Sequence, residues 1–524
     1  MTSPREVPQP KVLFLSTIFR SMREGFYRVP AFQRDFVWEE KQVLELLESV
    51  YRGFPIGSAL MWRVNEPILK VDHSGRLPLP VLETSRYPIE YVLDGLQRLT
   101  TLYACFHQEE HSDGRFAAVF DLRNRIFEIR SPEGDPGAYL RLSDILDAKR
   151  LVGSQQRLIT QTDGEDLVDA STQLFSAFQE YTMPIVSIAE TDVATVVKIF
   201  ERVNSTGTRL GRVDFMRAVT WSEEFDLEPQ LALMADGARD RGFDIPDETL
   251  IKLLGLGMGL EPTAESLIEL RQKPATELFA ARETAMEGLS KALEFLQQEN
   301  VFGYDYVPYE GQLIVATGFF IENPEPRPES LEILTFWYRS VALAEFLRGK
   351  PDHYVSRALD GFRDEERLRI YAPVVRLDLR PDDLLSRRFM VGKALSAGIA
   401  MLFASRPPRD IVSGQIIEPI DFMRFFEPSH FVSIAERNDL EQLLGRKPPS
   451  ARVIANIVVV SDASRSKLRT NKIAALSSAD PEVLASQLVS ETAMAHLVDG
   501  DVTGFLRQRA HDMHSVILEY VGQI

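Results

Sequence analysis

Eight consecutive residues, Asp94-Gly95-Leu96-Gln97-Arg98-Leu99-Thr100-Thr101, place a carboxylate, an amide, a guanidinium and two hydroxyls where an apolar run gives way to a helical pattern. The chemistry open to such a set is the binding of an anion, phosphate above all, because a helix start presents unpaired backbone N–H groups and the positive end of its dipole. A plainly capped amphipathic helix would use the same letters, since Asp is a common N-cap and Gly a common turn residue. Two further segments pose the same choice. In Tyr27 to Trp38, Gln33 and Arg34 follow Pro30 and stand among Phe32, Phe36 and Trp38. An arginine fixed by aromatic neighbours can grip a phosphate bidentately, or it can simply face solvent. In Phe200 to Leu210, Asn204-Ser205-Thr206-Gly207-Thr208 is either a helix stop or a nest of hydroxyl and N–H groups.

The elements that must hold these residues follow from periodicity. Ile89 to Leu93 reads as a strand and Leu96 to Phe106 as a helix, with Leu96, Leu99, Leu102, Tyr103 and Phe106 in one sector. Gln97, Arg98 and Thr101 fill the opposite sector, with Thr100 at its margin. Glu39 to Arg52 reads as a helix with Val43, Leu46, Leu47 and Val50 inward and Gly53 as its stop, and Phe54 to Trp62 as a buried strand. Phe116 to Leu122 and Ile126 to Ile129 form a hairpin through Arg123-Asn124-Arg125, Asn being tolerant of positive φ. A helix with Val193, Val196, Val197 and Phe200 inward ends near Asn204. From about Phe215 to Ala404 the helix formers Leu, Ala, Glu and Arg recur at helical spacing, interrupted by a loop at Pro324, Pro326 and Pro328. Arg406-Pro407-Pro408-Arg409 reads as a linker. The fold class is therefore an α+β N-terminal domain followed by a mainly α-helical middle and C-terminal region, with expected domains at 1–220, 221–408 and 409–524.

Composition narrows the function. A chain of 524 residues needs more than one core, and 59 Lys plus Arg against 77 Asp plus Glu give a net charge of −18, so this is no general polyanion binder. The single cysteine, Cys105, cannot form an internal disulfide and suits a reducing, cytoplasmic setting as an inert packed thiol. The first ten residues lack an apolar core and no run approaches the length of a membrane span, which sets the expectation of a soluble protein with no membrane partner. No Walker A loop is present.

Together, the three polar segments resemble the N-terminal domain of the GmrSD family of modification-dependent restriction proteins. Its members carry a Phe-Gln-Arg motif followed by an aromatic and Trp, an Asp-Gly-Gln-Gln-Arg-Leu-Thr-Thr-Leu motif, and a Phe-x-x-x-Asn-Ser-x-Gly-x-x-Leu motif. The resemblance covers residues 12 to 220 closely and the helical middle more loosely. It implies a ParB/sulfiredoxin-like core that binds and hydrolyses a nucleoside triphosphate, commonly GTP, in an antiphage protein; SspE, which senses phosphorothioate DNA, is similar. On that analogy Gln33, Arg34, Asp94, Gln97, Arg98, Asn204, Ser205 and Gly207 line the site. Arg34 and Arg98 would balance phosphate charge, Thr100 and Thr101 would add hydroxyl donors, and Asp94 would bridge through Mg²⁺ or orient water. Leu96 stands where the family has a first Gln. The partners implied are a nucleotide and DNA, modified or foreign, with partner defence proteins and a homo-oligomer left open. The other reading is a non-catalytic module that senses a nucleotide or DNA modification while a partner nuclease cuts.

Many relatives add an HNH nuclease, and the C-terminal layout is similar: Glu427-Pro428-Ser429-His430-Phe431, then Ile454 to Ser461, then Arg469-Thr470-Asn471-Lys472. His430 would be the general base and Asn456 the residue that orients it or reaches the metal. Ser429 stands where a metal-ligating His or Asp belongs and Arg465 near the usual second Asn, so the expectation is a degenerate nuclease. Read without the resemblance, His430 is a surface histidine on a helical tail, as are His511 and His514.

Overall fold

The computed structural model describes residues 10–522 except 31–35, 67, 70–76, 81–85, 108–112, 131–136, 190–194, 197–198, 200–215, 218–219, 221–223, 363–374, 425–429, 446–449 and 470–471. The chain divides into two compact units, Met1–Leu227 and Glu228–Ile524. The first is α/β and the second mostly helical, in agreement with the expected fold class. No helix among the described residues is long and apolar enough to cross a membrane.

The first unit is built on a five-stranded mixed sheet in the order β1-β8-β3-β4-β2. Its strands are β1 (Pro10–Phe14), β2 (Tyr27–Arg28), β3 (Ala59–Val64), β4 (Ile89–Asp94) and β8 (Thr182–Ile188). β3 and β4 run antiparallel, with Leu60 opposite Asp94, so the start of β3 and the end of β4 share one end of the sheet. β2 runs parallel to β4, and the chain therefore leaves β2 toward that same end. A second sheet, of β5 (Ala118–Asp121), β6 (Ile126–Ile129) and β7 (Tyr139–Arg141), is antiparallel throughout. The β5–β6 hairpin is the expected one, but Arg125 rather than Asn124 takes positive φ, at 56°. Asn124 instead donates its side-chain amide to Asp121.

Helices α1 (Leu15–Glu24), α2 (Glu40–Tyr51) and α3 (Leu96–Phe106), with α4 (Leu142–Ile145), α5 (Ala148–Leu158) and α6 (Gly164–Glu180), complete this unit. α2 follows the sequence closely: Val43, Leu46, Leu47 and Val50 are buried, and Glu39 and Gln42 close a capping box at its start. β3 begins five residues later than expected, because Phe54 to Ser58 form a loop held from below by Tyr181. The Tyr181 hydroxyl donates to the Phe54 carbonyl at 2.7 Å and accepts from the Ile56 N–H at 3.2 Å.

In the second unit the main helices are α7 (Leu227–Arg239), α8 (Asp247–Gly257), α9 (Ala275–Gln298), α10 (Glu310–Glu322), α11 (Pro328–Leu343), α12 (Ala394–Ser405) and α13 (Val502–Val521). The proline-rich loop falls between α10 and α11, as the sequence indicated. Nearly every residue of α10 and all but the last of α12 are buried, which explains why these two lack a polar face. A short hairpin of β9 (Phe431–Ser433) and β10 (Ile457–Val459) interrupts the helical pattern.

The segment 406–409 lies inside this unit and is tied down along its length. Arg406 pairs with Glu519 at 2.8 Å, the Arg409 N–H donates to Ser486, and the Arg409 carbonyl accepts from Gln487. Next to it Asp410 is almost fully buried and accepts from the N–H groups of Val412, Ser413 and Ser461 and from the Ser413 and Ser464 hydroxyls. Burial raises the Asp410 carboxyl, but these donors outweigh it and hold the group down at about 2. An unfolded aspartate titrates near about 3.9, so the stabilisation is complete above that pH and is lost as pH falls through it toward 2. We expect Asp410→Asn to destabilise the protein at pH 7 while losing about 2 kcal/mol less than wild type between pH 5 and acid, read by urea unfolding across that range.

Candidate functional site at the β4–α3 turn

At the shared end of β3 and β4, the chain turns from strand to helix through Gly95, whose φ of 91° is left-handed. A side chain there would sit 3.2 Å from the Cα and Cβ of Ala59, so both the turn and its close approach to β3 require glycine. Gly95, not Asp94, is the N-cap, and it has no side chain with which to cap the helix. Asp94 is released for another partner. Its Oδ2 accepts from Arg98 Nη2 at 3.2 Å, one turn along α3.

Arg98 reaches further, with Nη1 donating to the Ile56 carbonyl at 2.7 Å. Space for the guanidinium comes from Gly57, at φ 83°, since a Cβ on that residue would collide with Arg98 Nη1. Ile56 and Gly57 belong to the loop that Tyr181 pins, so the arginine bridges that loop, the end of β4 and its own helix. Two of its five N–H donors are used in this way. The Arg98 side chain is 20% exposed and that of Asp94 38%, which leaves the pair reachable from solvent.

Gln97 accepts from the Val37 N–H through Oε1 at 3.0 Å. Phe36 is buried against Phe116 with ring centroids 4.8 Å apart, and the Arg115 guanidinium lies over Phe36 and donates to the Trp38 carbonyl. The aromatic anchor expected for the Gln33-Arg34 segment is therefore real on its C-terminal side, and it meets α3 at Gln97. Gln33 and Arg34 themselves, and Asn204, Ser205 and Gly207, lie outside the described residues.

Two expectations need correction. Thr100 and Thr101 do not face outward; both are fully buried. The Thr101 hydroxyl donates to the Gln97 carbonyl at 2.8 Å, and the Thr100 hydroxyl is enclosed with no hydrogen-bond partner among the described residues. The helix is packed on nearly every side, because the β4–α3 turn sets it down in the core and leaves only Gln97 and Arg98 half-exposed. Cys105 is buried as expected, and burial pushes its thiol upward in pKa, away from reactivity.

In the C-terminal region the structure separates the residues that the HNH layout paired. Asn456 is fully buried, and all its side-chain bonds are to backbone: Oδ1 accepts from the Ala435 N–H, and Nδ2 donates to the carbonyls of Ala435 and Ala451. None of these bonds is to His430, and Oδ1 is turned to the Ala435 N–H inside the core. His430 is buried rather than on the surface, with Nδ1 2.9 Å from the Val460 carbonyl. A carbonyl only accepts, so Nδ1 is the donor in this contact. Asp462 Oδ1 lies 3.9 Å from Nε2, a neighbour that sequence reasoning did not single out. His514 is half-buried with Nε2 on the Leu379 carbonyl, and His511 is exposed. Among the described residues no group of three His, Cys, Asp or Glu could hold a metal ion.

With this geometry in view, residues 15–221 match the family model described as GmrSD restriction endonuclease, N-terminal domain. These residues are a GmrSD-type N-terminal domain. The Asp94–Arg98 clamp, the Gly57 clearance and the Gln97–Val37 contact all fall inside the GmrSD-type domain, a domain of restriction-type defence proteins. The chain is also similar to an uncharacterized protein of Methanocaldococcus jannaschii, 22% identical over 396 residues, covering 67% of this chain. The chain spans 66% of the length of that curated relative. The match therefore runs past the GmrSD-type domain into the helical unit.

If Asn456 is a structural peg, its truncation should act without metal. Asn456→Ala should cost about 2–4 kcal/mol, for three lost hydrogen bonds and buried backbone groups left unpaired, and Mg²⁺ should shift the melting temperature of neither protein through this residue. A Mg²⁺-dependent stabilisation of wild type that the variant lacks would show a ligand role instead.

Proposed function

We propose that the protein is a restriction-type defence effector whose GmrSD-type domain binds and hydrolyses a nucleoside triphosphate, GTP favoured, at the β4–α3 turn, and that this is coupled to recognition of modified or foreign DNA. The observation that carries the reading is Arg98, fixed by the Ile56 carbonyl and Asp94 in a space that Gly57 keeps clear. A guanidinium held in one place pays its ordering entropy in advance and can meet phosphate charge without rearrangement. The first turn of α3 adds backbone N–H groups, and its N-cap, Gly95, brings no side chain of its own to cap them. Gln97 is tied to Val37, three residues past Arg34 in the chain, and on this reading Arg34 would supply the second cation.

Asp94 is the one carboxylate of this turn. A single half-exposed carboxylate fits Mg²⁺ that arrives with a nucleotide, since that ion is commonly held by one or two carboxylates, substrate phosphates and waters. When bound, Mg²⁺ would neutralise phosphate charge; the Thr100 and Thr101 hydroxyls take no part. Asp94 would otherwise orient the attacking water, and its ion pair with Arg98 holds it in place for either task. A sensor that binds nucleotide without turnover uses the same clamp, and the ion pair favours it to the extent that Asp94 stays bound to Arg98.

The two readings part in one experiment. Phosphate release is followed from GTP and from ATP, with Mg²⁺, with and without phosphorothioate or unmodified DNA. Turnover supports the effector, and binding without release supports the sensor. Arg98→Ala should lower turnover by about 10²–10³-fold, with Arg98→Lys intermediate and both variants retaining a cooperative melt. Turnover unchanged in Arg98→Ala contradicts the assignment.

A further inference from the structure

The chain's charge is segregated. Although its net charge is −18, the stretch Leu384–Arg409 holds five basic residues and no acidic one, and Gln442–Ala479 holds seven basic residues and one acidic one, Asp462. The fold brings the two stretches together within the second unit. Arg388 and Val453 form an antiparallel bridge, the Phe389 N–H donates to the Arg452 carbonyl at 2.7 Å, and the Ile454 N–H donates to the Arg387 carbonyl at 3.1 Å.

At this seam the cations are placed against their own preference. Arg452 is half-buried with Nη2 on the Phe431 carbonyl at 2.6 Å, at the edge of the β9–β10 hairpin. Burial lowers its pKa, and the like charge of Arg388 lowers it further. Arg388, the like charge acting on it, is exposed, and Lys393, Arg465 and Lys467 on the same two stretches are exposed as well. Arg387 pairs with Glu345, Arg465 with Asp462 and Lys472 with Glu436. No ion pair among the described residues engages Arg388, Lys393 or Lys467. Gathering like charges on an acidic protein costs self-repulsion, which a polyanion laid along the surface would relieve.

We propose that this face of the second unit, the 387–393 segment and the 452–467 segment around the β9–β10 hairpin, is a binding surface for the phosphate backbone of DNA. The inference rests on the reading of the protein as a DNA-directed defence effector and names the part of the chain that holds the DNA. Its contacts are to phosphates, so it carries no sequence information and leaves discrimination to other parts of the chain. The acidic remainder of the chain repels a duplex and confines it to this face, which reconciles DNA binding with a net charge of −18.

The test uses the full chain and a short fluorescein-labelled duplex, with anisotropy read between about 50 and 200 mM salt. The variant is Arg388→Glu/Lys393→Glu/Lys467→Glu; the control, Arg20→Glu/Lys41→Glu/Lys149→Glu, reverses three exposed charges of the first unit. Wild type should bind with a steep salt dependence. The variant should lose at least about tenfold in affinity, with a slope of log K against log salt shallower by about three, while the control stays within about twofold. Equal binding by variant and wild type, an equal loss in the control, or no binding by wild type at the lowest salt overturns the proposal. Nucleotide-dependent phosphate release by the same variant reports separately on the β4–α3 site, so either reading can fail while the other stands.

Discussion

The GmrSD-type domain depends on one guanidinium reaching the places where it is held. Arg98 ties the end of β4, the loop before β3 and the first turn of α3 through two hydrogen bonds, one to a backbone carbonyl and one to a carboxylate. Charge-assisted bonds of this kind contribute about 1.5–3 kcal/mol each, and a half-buried arginine stripped of them would leave its charge poorly solvated. Everything near it follows. Gly57 must lack a side chain, Gly95 must take a left-handed φ, and Tyr181 must hold the 54–56 loop at the height where the Ile56 carbonyl meets Nη1. The apolar side of α3 anchors the arrangement in the core, so the arginine is presented by a rigid element rather than by a mobile loop.

The second unit uses the same device with more partners. Arg509 is completely buried and donates to the carbonyls of Ala455, Ile457, Gln487 and Leu488, stitching α13 to the β9–β10 hairpin. Burial drives its pKa down to about 9, with Asp512 opposing. Gln487 adds bonds to both the N–H and the carbonyl of Val459. A three-residue hairpin has too few ladder bonds to satisfy its own backbone, and polar side chains supply the remainder. Asn456 belongs to that group, which is why its place in an HNH-like layout did not translate into a place beside His430.

Much of this was legible in the letters. The α2 face, the β5–β6 hairpin, the β4 strand and the proline loop follow from period and punctuation, since each is decided within about fifteen residues. The signals that misled were those decided at longer range. Thr101 lies in the polar sector of α3 by angle, yet the core closes over that sector because both flanks of the helix are packed. Phe54 to Ser58 has the apolar look of a strand, and only the Pro55 and Gly57 pair hinted that the chain would turn there before β3. Ile56 and Tyr181 were invisible as site residues, because they are brought to Arg98 and to the 54–56 loop from 42 and 125 positions away. The basic seam lies in the letters as one stretch without an acidic residue and one with only Asp462, but the Arg388–Val453 bridge is what shows that they meet.

The central claim is that the β4–α3 turn is where the nucleotide sits. Hydrogen–deuterium exchange with a non-hydrolysable GTP analogue and Mg²⁺, compared with the free protein, tests it most directly. The account predicts slowed exchange concentrated in the N–H groups of 95–99 and of the 56–58 loop, on three sides of Arg98. Saturating nucleotide that leaves those amides unchanged, or protects only a segment elsewhere in the chain, would contradict it.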